Sequence, residues 1–146
     1  MLKNAYARYR QMNLETASPG KAVLYLYNGM IRFFSEAKEH MINKEYEMCN
    51  EKLFRARRIL SELTLALNDD AGEISDNLRA IYNFCYQSSV VANLRKEPQL
   101  LEQVISWLSA IRDAWAQMLT NPQNEETQNQ DQESSNSGQE QLKKVA

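Results

Sequence analysis

Residues 46–67, YEMCNEKLFRARRILSELTLAL, place an apolar residue at every third or fourth position. The repeating residues are Tyr46, Cys49, Leu53, Ala56, Leu60, Leu63 and Leu67. Because an α-helix has about 3.6 residues per turn, this spacing aligns them along one side of a helix. The pattern predicts a helix over residues 44–67 that buries this side.

The same periodicity continues on both sides of this stretch. Ser18 before Pro19 is typical of a helix N-cap followed by proline in the first turn. Residues 68–72, NDDAG, are typical of a turn, and Glu97-Pro98 marks a break and a restart. The predicted helices are therefore residues 19–42, 44–67, 73–96 and 98–119. The apolar series of the other three helices are Val23, Tyr27, Met30, Phe34, Ala37 and Met41; Ile74, Leu78, Ile81, Cys85, Ser88 and Ala92; and Leu101, Val104, Leu108, Ile111, Trp115 and Met118.

Four amphipathic helices joined by short loops predict an all-α protein, an antiparallel up-and-down four-helix bundle over residues 18–120. Residues 1–17 form a predicted short N-terminal helical arm, which is too short to be stable alone and must dock on the bundle or on a partner. Residues 121–146 are polar, with five acidic residues and two lysines, and predict a disordered tail.

Composition and charge exclude several classes of protein. The chain has 146 residues, 43% hydrophobic and 25% charged, with a net charge of −2, which fits one soluble domain and no nucleic-acid partner. No apolar stretch approaches the roughly 20 residues that span a bilayer, and the first residues lack a signal-peptide core. We therefore expect a cytosolic protein without membrane insertion.

The sequence offers no catalytic site, metal site or cofactor site. The one histidine, His40, cannot supply the two Glu-x-x-His motifs of a carboxylate-bridged metal pair. Cys49 and Cys85 lie in the apolar series, so we expect buried thiols without a disulfide. A hairpin centred near Asp70 would offset the two by roughly 9 Å along the helix axes. Arg55, Arg57 and Arg58 are expected to form a solvated face paired with Glu51 and Glu62. The chain is not expected to be an enzyme.

The third predicted helix carries more apolar residues than one buried face can use. Its additional residues are Phe84, Tyr86, Val90, Val91 and Leu94. A helix that is apolar on every side is normally covered on every side, and a four-helix bundle leaves each helix an outer face. These additional residues are either scattered over the surface and the flanks of the bundle, or they line a groove that binds an amphipathic partner helix.

Several short motifs follow one another along the chain: Thr16-Ala17-Ser18-Pro19, Leu26-Tyr27-Asn28-Gly29, Ala56, Ile59, Leu63 and Leu67, Gly72-Glu73-Ile74 with Asn77-Leu78, Ile81-Tyr82, Ala92-Asn93-Leu94, Glu102 with Val104, and Ala114-Trp115. In this order they resemble the FliS family, the flagellin-specific export chaperones of bacterial flagellar type III secretion. Together they cover residues 4 to about 118.

The resemblance implies a cytosolic chaperone that binds the disordered C-terminal segment of flagellin, prevents premature polymerisation and brings it to the export gate. It also raises the export gate and other flagellar regulators as further partners, and it places Tyr6 over the binding groove. The predicted partner-binding residues are Tyr6, Tyr82, Phe84, Tyr86, Val90, Val91 and Leu94. We expect a monomer or weak homodimer. The alternative is a self-associating structural bundle or adaptor that does not bind flagellin.

Overall fold

The computed structural model describes residues 19–68, 70 and 72–120, and four α-helices account for nearly all of them. The helices are α1 (Pro19–Ile42), α2 (Tyr46–Leu65), α3 (Glu73–Arg95) and α4 (Pro98–Thr120). The described residues contain no strand, and none of their helices is long and apolar enough to cross a membrane. The predicted arm, the Ser18 cap and the predicted tail lie outside the described residues. Within α4 the chain passes from one compact unit to a second between Arg112 and Asp113.

Side-chain contacts within residues 19–112 show that neighbouring helices are antiparallel. Lys52 of α2 pairs with Glu36 of α1 at 2.9 Å, and further along α2, Ile59 lies against Gly29. Residue numbers therefore rise along one helix as they fall along the other.

The α2–α3 and α1–α4 pairs are also antiparallel. Asn50 of α2 accepts a hydrogen bond from Asn93 of α3 at 2.9 Å, and Arg57 lies over Tyr86. Between α1 and α4, Lys38 pairs with Glu102, and Arg112 donates to Asn28 at 3.4 Å. These contacts confirm the predicted all-α, up-and-down bundle.

The core is built mainly from the apolar series predicted for α1, α2 and α4. Its largest fully buried side chains are Phe34, Met30, Leu53, Leu60, Leu101, Leu108 and Val104. Leu78 and Ile81 of α3 pack against this core but are only half-buried. Close packing of these side chains supplies the main stabilising term of the fold.

The buried face of α3 differs from the prediction by one residue at two positions. Ser75 and Ser89 are buried, whereas Ser88 is half-buried and Ile74 is 72% exposed. The Ser89 hydroxyl donates to the Tyr86 carbonyl at 2.6 Å, so its burial leaves no polar atom unpaired. The α2–α3 register places Ile74 beyond Leu65, the last residue of α2, so α2 does not cover its side chain.

Backbone conformation decides where two helices begin and end. Lys44 has φ 61° and Lys96 has φ 54°, both left-handed. Because a left-handed residue interrupts an α-helix, α2 begins at Tyr46 rather than at the predicted residue 44, and α3 ends at Arg95. Glu97 donates its backbone N–H to the Ala92 carbonyl at 3.0 Å, which closes the end of α3 before Pro98 starts α4.

Candidate partner-binding surface

The outward side of α3 carries large apolar side chains that the core does not use. Leu94 is 78% exposed and Phe84 is 51% exposed. Tyr86 is also exposed, and Val90 and Val91 are half-buried. We call these five residues the α3 surface. Their accessibility agrees with the sequence expectation, while their binding role stays a prediction.

One flank of the α3 surface faces α2. The guanidinium carbon of Arg57 lies 6.0 Å from the centroid of the Tyr86 ring. Val90 follows Tyr86 by one helical turn and therefore shares this flank. On α2, three residues before Arg57, Phe54 is exposed, and Arg58 lies 6.0 Å from its ring centroid. This flank is apolar with a basic border.

The other flank faces α4. The Phe84 and Trp107 rings have centroids 6.3 Å apart and planes inclined at 57°, a favourable tilted arrangement. Val91 follows Phe84 by two turns and lies on the same flank. Leu94 lies between the two flanks on the helical wheel, so it joins them. The five residues therefore share the outward side of α3, between its contact with α2 and its contact with α4.

Tyr82 does not belong to this surface, although the sequence placed it there. Its side chain is 3% exposed, and its hydroxyl shares a hydrogen bond with that of Tyr27 on α1. The two ring centroids lie 6.4 Å apart across the core. Burial is the main cause that raises the pKa of both phenols, so both stay protonated in the folded protein. Tyr82 is a core residue. Tyr6 lies outside the described residues.

Trp107 extends the α3 surface and was absent from the predicted set. Trp107 precedes the buried Leu108, so its side chain is displaced by about 100° around the helix from that leucine. This displacement was visible in the sequence. The contact between Trp107 and Phe84 depends on how α3 and α4 pack, so the sequence did not show it.

Among the described residues, the two thiols are buried and the histidine lies beside a carboxylate. Cys49 and Cys85 are free, buried thiols, and the α2–α3 register offsets them by about 13 Å along the axes, more than predicted. Burial raises the pKa of the Cys85 thiol to about 11 and raises that of Cys49 as well, so neither is a thiolate at neutral pH. His40 lies 3.4 Å from a Glu45 carboxylate oxygen. Among the described residues no cluster of metal-ligating side chains occurs.

The predicted pairing of the basic residues on α2 is confirmed for one pair. Arg55 contacts Glu51 at 2.8 Å, four residues earlier on α2. Arg57 and Arg58 instead lie over the Tyr86 and Phe54 rings. The structure thus adds cation–π contacts to the solvated face that spacing predicted.

Comparison with known proteins identifies the family. The family model described as "Flagellar protein FliS" matches residues 2–122 of this chain. The chain belongs to the FliS family. The flagellar secretion chaperone FliS of Bacillus subtilis (strain 168) is 35% identical over 118 residues, covering 81% of this chain and 88% of the relative.

Other FliS relatives span a similar share of the chain. The flagellar secretion chaperone FliS of Vibrio cholerae is 33% identical over 106 residues, covering 72% of this chain and 78% of its own length. A crystal structure of a flagellar chaperone from bacteria is 24% identical, with a TM-score of 0.65, and covers 80% of this chain and 96% of that one. This likeness supports the same helical fold.

Proposed function

We propose that this chain is a flagellar secretion chaperone that acts in the cytosol and holds a C-terminal segment of flagellin on the α3 surface. The observation that carries the proposal is the position of the large apolar residues of α3. Phe84 and Leu94 lie outside a core that is already filled from the other helices. The FliS relatives named as flagellar secretion chaperones support the general role.

The form of the α3 surface suits an amphipathic segment. The exposed apolar side of α3 can bind the apolar face of a helix or of an extended chain. A segment that is disordered before binding must lose conformational entropy on binding, so affinity depends on a few well-buried anchors. Phe84 and Tyr86, one on each flank, are the aromatic residues suited to this role.

The proposal requires binding and release but no catalysis. Occupying the C-terminal segment of flagellin would prevent it from pairing with other flagellin copies before export. Delivery to the flagellar export apparatus then requires reversible binding. The buried, protonated thiols offer no nucleophile that would suggest covalent capture.

Size-exclusion chromatography with light scattering tests the proposal on the full chain, alone and with a synthetic C-terminal flagellin peptide. The expected result is a defined chaperone–peptide complex. If the chain alone forms a dimer, and Phe84→Glu dissociates it while no complex forms with the peptide, the alternative of a self-associating structural bundle is correct.

A further inference from the structure

An apolar groove lies between α1 and α2. It contains a cavity of about 310 Å³. The residues that line it are Tyr25, Leu26, Asn28, Gly29, Arg32, Phe33 and Ile59. This volume is near the lower end of the roughly 300–1,000 Å³ typical of ligand pockets, which leaves room for a bulky side chain of a bound peptide.

This α1–α2 groove is separate from the α3 surface. Ile59, which lines the groove, follows Arg57 by two residues on α2. Two residues correspond to about 200° of rotation around a helix axis. Arg57 lies over Tyr86 of the α3 surface, so the two sites occupy opposite flanks of α2.

Gly29 leaves the floor of the groove open. A Cβ atom at this position would lie 3.8 Å from the Cδ1 of Ile59, which is ordinary van der Waals contact. Tyr25 is exposed at one side, while Phe33 and Ile59 are half-buried. Because Gly29 has no side chain, the three apolar side chains around it form a concave site.

Three cations surround the aromatic side of this groove. The Phe33 ring centroid lies 5.3 Å from the guanidinium carbon of Arg32, 5.7 Å from the Lys52 ammonium and 5.9 Å from the guanidinium carbon of Arg55. Arg32 and Arg55 are exposed residues. Their side chains can therefore reach a bound ligand while contacting the ring through cation–π attraction.

Two carboxylates balance this charge only in part. Glu36 lies 3.8 Å from Arg32 and 2.9 Å from Lys52, and Glu51 lies 2.8 Å from Arg55. This cluster of three cations and two carboxylates is therefore net positive. A ligand that fits the groove must combine a bulky apolar group with negative charge.

We infer that the α1–α2 groove binds an acidic amphipathic segment of a partner protein. One bulky apolar side chain of that segment fills the cavity between Tyr25 and Phe33, and its carboxylates contact Arg32 and Arg55. This site is additional to the proposed flagellin site and does not depend on it.

The chain's own terminal segments fit the groove less well than an acidic partner does. Residues 1–18 include Lys3, Arg8 and Arg10 against one acidic residue, so a basic groove would repel them. Residues 121–146 are acidic but contain no aromatic residue, and Leu142 and Val145 are their only aliphatic residues larger than alanine or proline. An acidic segment with a bulky anchor matches both features of the site.

The test uses a synthetic, fluorescein-labelled amphipathic helical peptide with leucines on one face and glutamates on the other. A second peptide has every glutamate replaced by lysine. Fluorescence anisotropy with the full chain should show binding of the acidic peptide only, weakening as salt is raised. The double variant Arg32→Glu/Arg55→Glu should weaken binding at least about tenfold. Gly29→Leu, which fills the cavity, should also weaken it.

Arg95→Glu is the matched control, because Arg95 is an exposed arginine at the end of α3, away from the groove. It should leave the affinity unchanged. Circular dichroism checks that every variant folds, and Arg32→Gln/Arg55→Gln replaces the charge reversal if that variant is unfolded. Equal binding by the double variant and the parent would overturn the inference. So would amide NMR shifts that map to α3 instead of residues 25–33.

Two further results would assign another occupant and overturn the inference. One is a rise of about tenfold or more in peptide affinity on deletion of residues 121–146, which would make the acidic tail the occupant. The other is a homodimer that Arg32→Glu/Arg55→Glu dissociates. Unchanged affinity on tail deletion and a monomeric chain support the inference. The flagellin peptide should bind the groove variants normally, which separates this test from that of the α3 surface.

Discussion

Helices α1 and α3 use their large apolar residues in opposite ways. In α1 two large apolar side chains, Met30 and Phe34, are completely buried. In α3 most of the buried positions hold small or hydroxyl-bearing residues, whereas Phe84 and Leu94 are exposed. The buried residues of α3 are Ser75, Tyr82, Cys85, Ser89 and Ala92. Phe84 and Leu94 therefore contribute little to the core and are available to a partner.

The largest expected effect comes from truncating one phenylalanine on each helix. Phe34→Ala should reduce the free energy of unfolding by about 3–5 kcal/mol, because it leaves a cavity in a closely packed core. Phe84→Ala should cost less than about 1 kcal/mol, since about half of that side chain is already in water. Urea unfolding followed by circular dichroism measures both. If both variants lost the same free energy of unfolding, Phe84 would contribute as much to the core as Phe34, contrary to the comparison of α1 with α3.

The hydroxyl pair that joins the two helices should behave non-additively. Tyr27→Phe or Tyr82→Phe alone leaves a buried hydroxyl without its partner, and should cost about 1–3 kcal/mol. The double variant should cost less than the sum of the two, because it removes both polar groups together. A double-mutant cycle by urea unfolding gives the coupling. Strict additivity would mean that the two hydroxyls do not depend on each other.

Alkaline pH should weaken the fold through the buried face of α3. Burial raises the pKa of Cys85 from 9.0 to about 11. Below about pH 9 the thiol is protonated in both states. Between about pH 9 and pH 11, the Cys85 thiol loses its proton in the unfolded chain but keeps it in the folded protein. The free energy of unfolding therefore falls as pH rises, by up to about 1.4 kcal/mol per pH unit. Cys85→Ala should reduce this slope, to which the other buried thiol and the two buried phenols also contribute, whereas an unchanged slope would exclude Cys85 as a source of it.

The smallest expected effect is a gain in stability on α1. Gly29→Ala should raise the free energy of unfolding by about 0.5–1 kcal/mol, because alanine loses less backbone entropy in a helix and its Cβ meets Ile59 at an ordinary distance. Thermal melting measures the shift. A lower melting temperature than that of the parent would show that the α1–α2 contact is tighter than the structure indicates.

Helical periodicity was sufficient to predict the fold class and the bounds of α1 and α4, because α1 and the first three turns of α4 bury a regular apolar series. It failed at α2, where the left-handed Lys44 delays the start of the helix. It also failed on the buried face of α3. Ser89 is buried because its hydroxyl reaches the Tyr86 carbonyl, a hydrogen bond that hydrophobic spacing does not register.

The candidate sites were predictable only in part for a related reason. The surplus of apolar residues on α3 could be counted from the sequence, which predicted that residues such as Phe84 and Leu94 are exposed. Tyr82 was misplaced because its hydrogen-bond partner Tyr27 is 55 positions away in the chain. The α1–α2 groove arises where Gly29 meets Ile59, and such a meeting is set by the packing register of two helices.

One comparison of two leucines tests the central claim that the α3 surface binds flagellin. Leu94 is 78% exposed and Leu65 is 81% exposed, and each lies in the last turn of its helix, α3 or α2. Leu94→Glu and Leu65→Glu should both leave the melting temperature nearly unchanged. Calorimetric titration with the C-terminal flagellin peptide measures the affinity of each variant. Leu94→Glu should weaken binding at least about tenfold, because the new carboxylate would be desolvated in the complex. Leu65→Glu should bind the peptide like the parent. Equal affinities for the two variants would contradict the account.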